Sequence, residues 1–216
     1  IESAKLFNIK PKDVILVAIA SELVHAFSLV FDDLPCMDDD NLRRGNPTVH
    51  IKYGESSAIL AGSSLLVLAF KCLADNNLKY NSNIKNELIS ELSLAIGPQG
   101  MLAGQFLDLE AEKSDVEFLE SEFENIQIKK TAALLSFCSK AGAILGQASN
   151  KDKNTLKQYG LLLGRLFQIT DDLLDVTGNK VNLGKNVNKD HKRNKATLIK
   201  LKGINETKKE ALELAN

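Results

Sequence analysis

The chain has 216 residues, is 44% hydrophobic and 25% charged, and carries a formal net charge of -1. That balance is the composition of a globular chain with apolar material for a sizeable core, and it excludes low-complexity and fibrous classes. The near-zero charge gives no global pull toward nucleic acid or a membrane surface, and three widely spaced cysteines (Cys36, Cys72, Cys138) with no CxxC pair argue against a disulfide framework or a zinc site and fit a reducing compartment.

In chain order, Pro11 followed by Lys12 and Asp13 reads as a helix start, with proline in the first turn. From Val14 to Phe31 apolar residues dominate every face, which predicts a helix buried all round. Pro35 stands just past its end, and residues 36–54 read as a polar connector containing Gly45 and Pro47. A second helix is expected over 55–74, then a loop over 75–86. Its run around Leu65 to Phe70 is the longest apolar one, and it falls short of a membrane span. Further helices are expected at 84–111, 116–149 and 153–177, the first interrupted or kinked at Gly97-Pro98. Ala141, Gly142, Ala143, Gly146 and Ala148 predict a close helix approach. Gly178 is a natural C-terminal stop, 179–197 is a Lys/Asn-rich connector, and 205–215 is an amphipathic terminal helix. With no alternating strand pattern of useful length, the expectation is one all-α domain spanning 1–216.

Two acidic clusters interrupt this plain helical pattern. Asp32, Asp33, Asp38, Asp39 and Asp40 place five carboxylates within nine residues, directly after the apolar helix. Charges packed so densely repel at the rim of a core. A divalent cation relieves the repulsion, and hard oxygen ligands suit Mg²⁺, which takes one or two carboxylates and fills its other positions with water and phosphate. A solvated acidic loop is the plainer alternative. Arg43 and Arg44 follow at once, as surface ion-pair partners or as bidentate phosphate ligands.

The second cluster is Asp171, Asp172 and Asp175, near the end of a helical stretch. Asp171 and Asp175 are four apart and share a helix face, where like charges repel. Near a helix C-terminus they also oppose the macrodipole. Metal binding offsets both costs. Lys130 with Thr131, and Lys185 and Lys195 after the second cluster, supply positive charge suited to a leaving diphosphate, although each alone is more often a solvated lysine.

The stretch from Asp32 to Asp38, with Leu42-Arg43-Arg44-Gly45 and Pro47-Thr48, resembles the first aspartate-rich motif of the trans-isoprenyl diphosphate synthases, the farnesyl and geranylgeranyl diphosphate synthases. Phe167-Gln168 and the Asp171 to Asp175 run resemble the second motif. Gly104-Gln105-Phe106-Leu107-Asp108-Leu109 and Lys130-Thr131 resemble two further signatures, so the likeness covers nearly the whole chain in order. The four-residue spacer between Asp33 and Asp38 is the form of bacterial and plastid-type members.

The resemblance implies an isoprenoid-synthase-type helical bundle with a central active-site cavity, and a homodimer. It implies three Mg²⁺ ions, held by Asp32, Asp38, Asp171 and Asp175. Arg43, Lys130, Thr131, Gln168, Asp172, Lys185 and Lys195 would surround the allylic diphosphate, and His25 and Arg44 would contact isopentenyl diphosphate. Phe27 and Ser28 stand where the family sets product length, and an aromatic at Phe27 implies a farnesyl product, with geranylgeranyl as the alternative. The partners are these two substrates, with no nucleic acid and no stable membrane insertion. The location expected is cytoplasmic, or plastid in a plant or alga.

Several positions depart from the family pattern. Phe31 stands for a His, Asn41 and Ser63 for Asp, Gln127 for a His, and Asn194 for a Gly. No basic Gly-Gly-Lys-Arg segment occurs in residues 1–13, and the chain starts at Ile1, so it is read as lacking N- and C-terminal parts of a longer chain. A non-catalytic partner subunit is the weaker rival, because both acidic motifs are intact. A class I terpene cyclase would need an Asn/Ser/Glu-type second motif in place of Asp171-Asp172-Leu173-Leu174-Asp175.

Overall fold

A computed structural model describes residues 1–113, 119–177 and 198–216. The expected stop at Gly178 and the connector with Lys185, Asn194 and Lys195 lie outside the described residues. The described chain is helical, with one two-residue antiparallel strand pair, and divides into two compact units: residues 1–89 with 141–148, and residues 90–140 with 149–216.

In the first unit, α1 (Glu2–Lys5) precedes α2 (Pro11–Asp32), which starts as expected with Pro11 in its first turn behind an extended Lys10. Proline fits there because its missing N–H would have no helical partner. Val14, Val17, Ala20, Val24 and Phe27 are the buried residues of α2, at helical spacing along one face. Ile15 and Ile19 are exposed, so the helix is buried on one side and not all round. The composition is uniformly apolar, but only one side packs on α4 (Glu55–Ala74), which buries Ala58, Gly62, Ala69 and Leu73. Gly62 permits that approach, since a Cβ there would lie 2.5 Å from Phe31 Cε2.

Both α2 and α4 are long and apolar enough to cross a membrane by length and composition. The expectation from uninterrupted runs missed this, because single Ser, His or Lys residues break a run while leaving the mean over a helix apolar.

The connector 36–54 is more ordered than expected. β1 (Leu42–Arg43) pairs with β2 (Asn46–Pro47), and α3 (Val49–Tyr53) follows. The two turn residues, Arg44 and Gly45, have φ of 52° and 78°. Positive φ at both positions matches the twist of a tight hairpin. Gly54, with φ of 87°, then separates α3 from α4.

α5 (Ser82–Ile96) and α6 (Met101–Lys113) replace the single helix expected over 84–111. Pro98 has no N–H to continue the ladder, so of the expected kink or interruption the chain takes the interruption. The second unit continues with α7 (Glu120–Gln127), a π-helical turn (Ile128–Ala132), α8 (Ala133–Leu145) and α9 (Asn150–Thr177). A short α10 (Leu198–Lys202) ends at Gly203, and α11 (Ile204–Ala215) is the terminal helix expected over 205–215. Phe123, Ile169 and Leu198 form a buried cluster, with Leu173, Ala211 and Leu214 packed against it. Around it, Arg165 pairs with Glu124 and Glu210, and Lys202 with Glu120 and Glu210.

The small-residue run near 141–148 does mark a close approach. A Cβ on Gly142 would lie 2.5 Å from the Ala4 nitrogen and 2.5 Å from the Ser3 carbonyl carbon. Backbone cannot swing aside as a side-chain tip can, so Gly142→Ala is expected to destabilise the first unit by about 1–3 kcal/mol. Urea unfolding would read that loss, with reduced hydrogen-exchange protection over residues 2–9.

Candidate active site

The first acidic cluster begins where α2 ends. Asp32 is its last residue and Asp33 its C-cap. The chain then folds back in short turns: the Asp38 N–H donates to the Asp32 carbonyl (2.7 Å), Asp39 to Leu34 (3.0 Å) and Asp40 to Asp33 (3.2 Å). These bonds satisfy carbonyls that a helix end otherwise leaves open. They also draw Asp32 and Asp38 together through the backbone.

Asp33 points inward, 3% exposed, into a fork made by Arg43. Arg43 Nε donates to Asp33 Oδ1 (2.9 Å) and Oδ2 (3.0 Å), and Nη2 to Oδ1 (2.6 Å). Asp40 lies 3.9 Å from the same Nη2. Burial pulls the guanidinium pKa down, but the hydrogen bonds and charge of Asp33, with Asp40 and Asp32, raise it on balance. Arg44 sits exposed at the hairpin tip, with a φ of 52°.

On α2, His25, Ser28 and Asp32 fall on one face by their spacing of three and seven. Ser28 Oγ donates to the His25 carbonyl (2.9 Å), a bond within that face. Phe27 lies about 140° around the helix from Asp32 at 100° per residue. Its ring is 4% exposed and packs on Phe31, centroids 4.7 Å apart. The proposed length-setting pair is therefore split: Ser28 shares the Asp32 face, and Phe27 is buried against Phe31.

The π-helical turn carries Lys130 and Thr131 in the second unit. One extra residue in the turn rotates its side chains out of α-helical register, and such turns recur at functional sites. Lys130 Nζ donates to Asp108 Oδ2 on α6 (2.6 Å). Thr131 Oγ1 donates to Gln168 Oε1 on α9 (3.0 Å), and Gln168 Nε2 donates to Asp172 Oδ1 (2.9 Å). Gly104 on α6 lies against the Lys130 backbone and Gly164 on α9 against Ala132, each with no room for a Cβ. Two glycines thus clamp the turn that aims Lys130 and Thr131.

Asp172 and Asp175 are 3% and 5% exposed, while Asp171 is half-buried. Asp175 Oδ2 is buried with no hydrogen-bond partner among the described residues. A carboxylate oxygen left this way is costly, and a hard cation is the group that satisfies it. Among the described residues no three carboxylates, imidazoles or thiols converge into a metal cage. Mg²⁺ fits that pattern, since it uses few protein ligands and completes its shell with water and phosphate. The residue pattern alone did not assign a role to Asp108, Gly104 or Gly164. The clue was the Gly104 to Leu109 signature, whose glycine and aspartate meet the same lysine.

A family model described as polyprenyl synthetase matches residues 1–216. The farnesyl diphosphate synthase of Bacillus subtilis (strain 168) is 44% identical over 196 residues, covering 89% of this chain and 66% of that protein. A chloroplastic geranylgeranyl pyrophosphate synthase of Capsicum annuum is 42% identical over 197 residues, covering 91% and 53%. The crystal structure of a Helicobacter pylori geranyltransferase complexed with magnesium and isoprenyl diphosphate superposes with a TM-score of 0.86 at 32% identity, covering 98% of this chain and 73% of the other. This chain thus spans between about half and two thirds of those two curated relatives' length.

Asp175→Asn is expected to raise the stability of the metal-free protein by up to about 1 kcal/mol, because the neutral amide removes the repulsion between carboxylates four residues apart on one helix face. Chemical denaturation in EDTA measures this. A destabilised variant would mean that Asp175 is held by the fold and not kept for a ligand.

Proposed function

The chain belongs to the polyprenyl synthetase family, a trans-isoprenyl diphosphate synthase by its motifs, and from that premise we propose that it joins an allylic diphosphate to isopentenyl diphosphate as a prenyltransferase. The observation that carries this reading is the Asp172 and Asp175 pair, buried near the end of α9, with Asp175 Oδ2 lacking a hydrogen-bond partner among the described residues. Among the described residues no hydrogen bond within the fold accounts for that oxygen. The magnesium in the H. pylori structure supports a cation as its partner.

In this reading Asp32 and Asp38 hold magnesium for the allylic diphosphate, as do Asp171 and Asp175, three ions in all. Bound magnesium withdraws charge from the departing diphosphate. Lys130, fixed by Asp108, presents a positive charge that needs little reorganisation as the C–O bond breaks. Thr131 and Gln168 orient Asp172 and the headgroup through their hydrogen-bond relay. Arg43 binds the allylic diphosphate, with Lys185 and Lys195 completing its surroundings. His25 and Arg44 hold isopentenyl diphosphate, whose double bond attacks the allylic cation. The proton lost from the new C–C product passes to a released diphosphate oxygen, so no side-chain nucleophile takes part.

The product proposed is farnesyl diphosphate, the length that the family resemblance ties to an aromatic at Phe27, whose buried ring packs on the half-buried Phe31. The B. subtilis relative supports this length, and the C. annuum relative supports geranylgeranyl as the alternative. The protein acts as a homodimer in the cytoplasm. Leu60 and Val67, seven apart on α4 and each 68% exposed, give an apolar face suited to a second copy. One domain, 1–216, carries the residues named.

The test is incubation of the full-length protein with isopentenyl diphosphate, Mg²⁺ and each of the C5, C10 and C15 allylic diphosphates. Farnesyl diphosphate is expected from the C5 and C10 primers. Asp32→Ala and Asp171→Ala should each lower kcat by about three orders of magnitude with helical content preserved. Absence of condensation with every primer would end the enzyme reading, and full activity in either variant would remove that residue from the metal set.

A further inference from the structure

Asp33 has no part in the assignments above, yet it is the most buried carboxylate of the first cluster. Both its oxygens are occupied by one edge of Arg43, the edge formed by Nε and Nη2. A guanidinium has five N–H groups, and the two on Nη1 take no part in these bonds. The residues around the pair fix it further. Asp33 is pinned at the C-cap of α2, and its carbonyl accepts from the Asp40 N–H. Arg43 lies on β1, one residue before a turn of fixed handedness. The Thr48 N–H donates to the Asn41 carbonyl (3.1 Å), which closes the base of the hairpin.

We propose that Asp33 is a positioning residue: it grips the Nε–Nη2 edge of Arg43 so that the Nη1 edge is presented to a diphosphate oxygen, and metal binding in the first cluster falls to Asp32 and Asp38 alone. Ligating a metal would pull Asp33 out of the fork and leave a half-buried guanidinium with only the longer Asp40 contact, an unfavourable change. Held on one edge, Arg43 loses less freedom when it binds phosphate, because its plane is set beforehand. This rests on the reading of the site as one that binds diphosphate.

A double-mutant cycle separates positioning from metal ligation. The full-length protein is compared as wild type, Asp33→Asn, Arg43→Gln and the double variant, with Asp32→Asn as the metal-site control. Calorimetry with inorganic diphosphate and Mg²⁺ gives diphosphate affinity. Electron paramagnetic resonance at saturating inorganic diphosphate counts bound Mn²⁺. Asp33→Asn should weaken diphosphate about 10-fold. It should leave the Mn²⁺ count unchanged, whereas Asp32→Asn lowers it. In the Arg43→Gln background, Asp33→Asn should change diphosphate affinity by less than about 2-fold. A reduced Mn²⁺ count in Asp33→Asn, or additive losses in the double variant, would overturn the proposal. If Asp33→Asn does not fold, Arg43→Lys carries the test: it keeps the charge, loses the fork, and should weaken diphosphate about 10-fold with the Mn²⁺ count intact. Undiminished diphosphate affinity in Arg43→Lys would overturn it equally. A wild type that binds no inorganic diphosphate would refute the functional reading itself.

Discussion

Carboxylates crowded at the C-terminal ends of two helices are the constraint to which the site residues of both units respond. A helix end carries partial negative charge from its open carbonyls, so Asp32 with Asp33 and Asp171 with Asp172 and Asp175 sit where acid is least welcome. The chain answers differently at each end. After α2 it places a hairpin whose Arg43 neutralises Asp33 from one side. On α9 it uses a neutral amide, Gln168, for Asp172, and leaves an Asp175 oxygen without a partner among the described residues. Full neutralisation by lysine or arginine would give a more stable protein, but it would leave no oxygen for a cation.

The π-helical turn shows the same trade in the backbone. Lys130 and Thr131 are neighbours in sequence, yet their side chains reach different helices, Lys130 to α6 and Thr131 to α9. The turn holds because Gly104 and Gly164 let those helices come against its backbone. Local geometry that is poor for a helix is thus sustained by packing on both sides. The result is a fixed cation and a fixed hydroxyl.

Much of this was legible in the residues. Pro11 marked the start of α2, Gly97-Pro98 the break between α5 and α6, and Gly142 with Gly146 a close approach, because each acts through backbone constraints that follow from residue type. The acidic clusters were legible for a similar reason: their cost is local and sums along the sequence. Three features were not. The one-sided burial of α2 depends on which neighbour arrives, and its uniform apolar composition hides the direction. The Asp33–Arg43 fork depends on a hairpin too short to leave an alternating pattern. The π turn leaves no periodic signature at all, since Ile128 to Ala132 reads as continuous helix.

In the proposed function the first cluster divides its labour, with Asp32 and Asp38 for metal and Asp33 for Arg43. The most direct test of that division is a crystal structure of the full-length protein grown with Mn²⁺ and inorganic diphosphate, with manganese located by anomalous scattering. Manganese is expected bonded to Asp32 and Asp38, with Arg43 still forked onto Asp33 and its Nη1 edge on a diphosphate oxygen. Manganese bonded to Asp33, with Arg43 released from it, would overturn this division of roles.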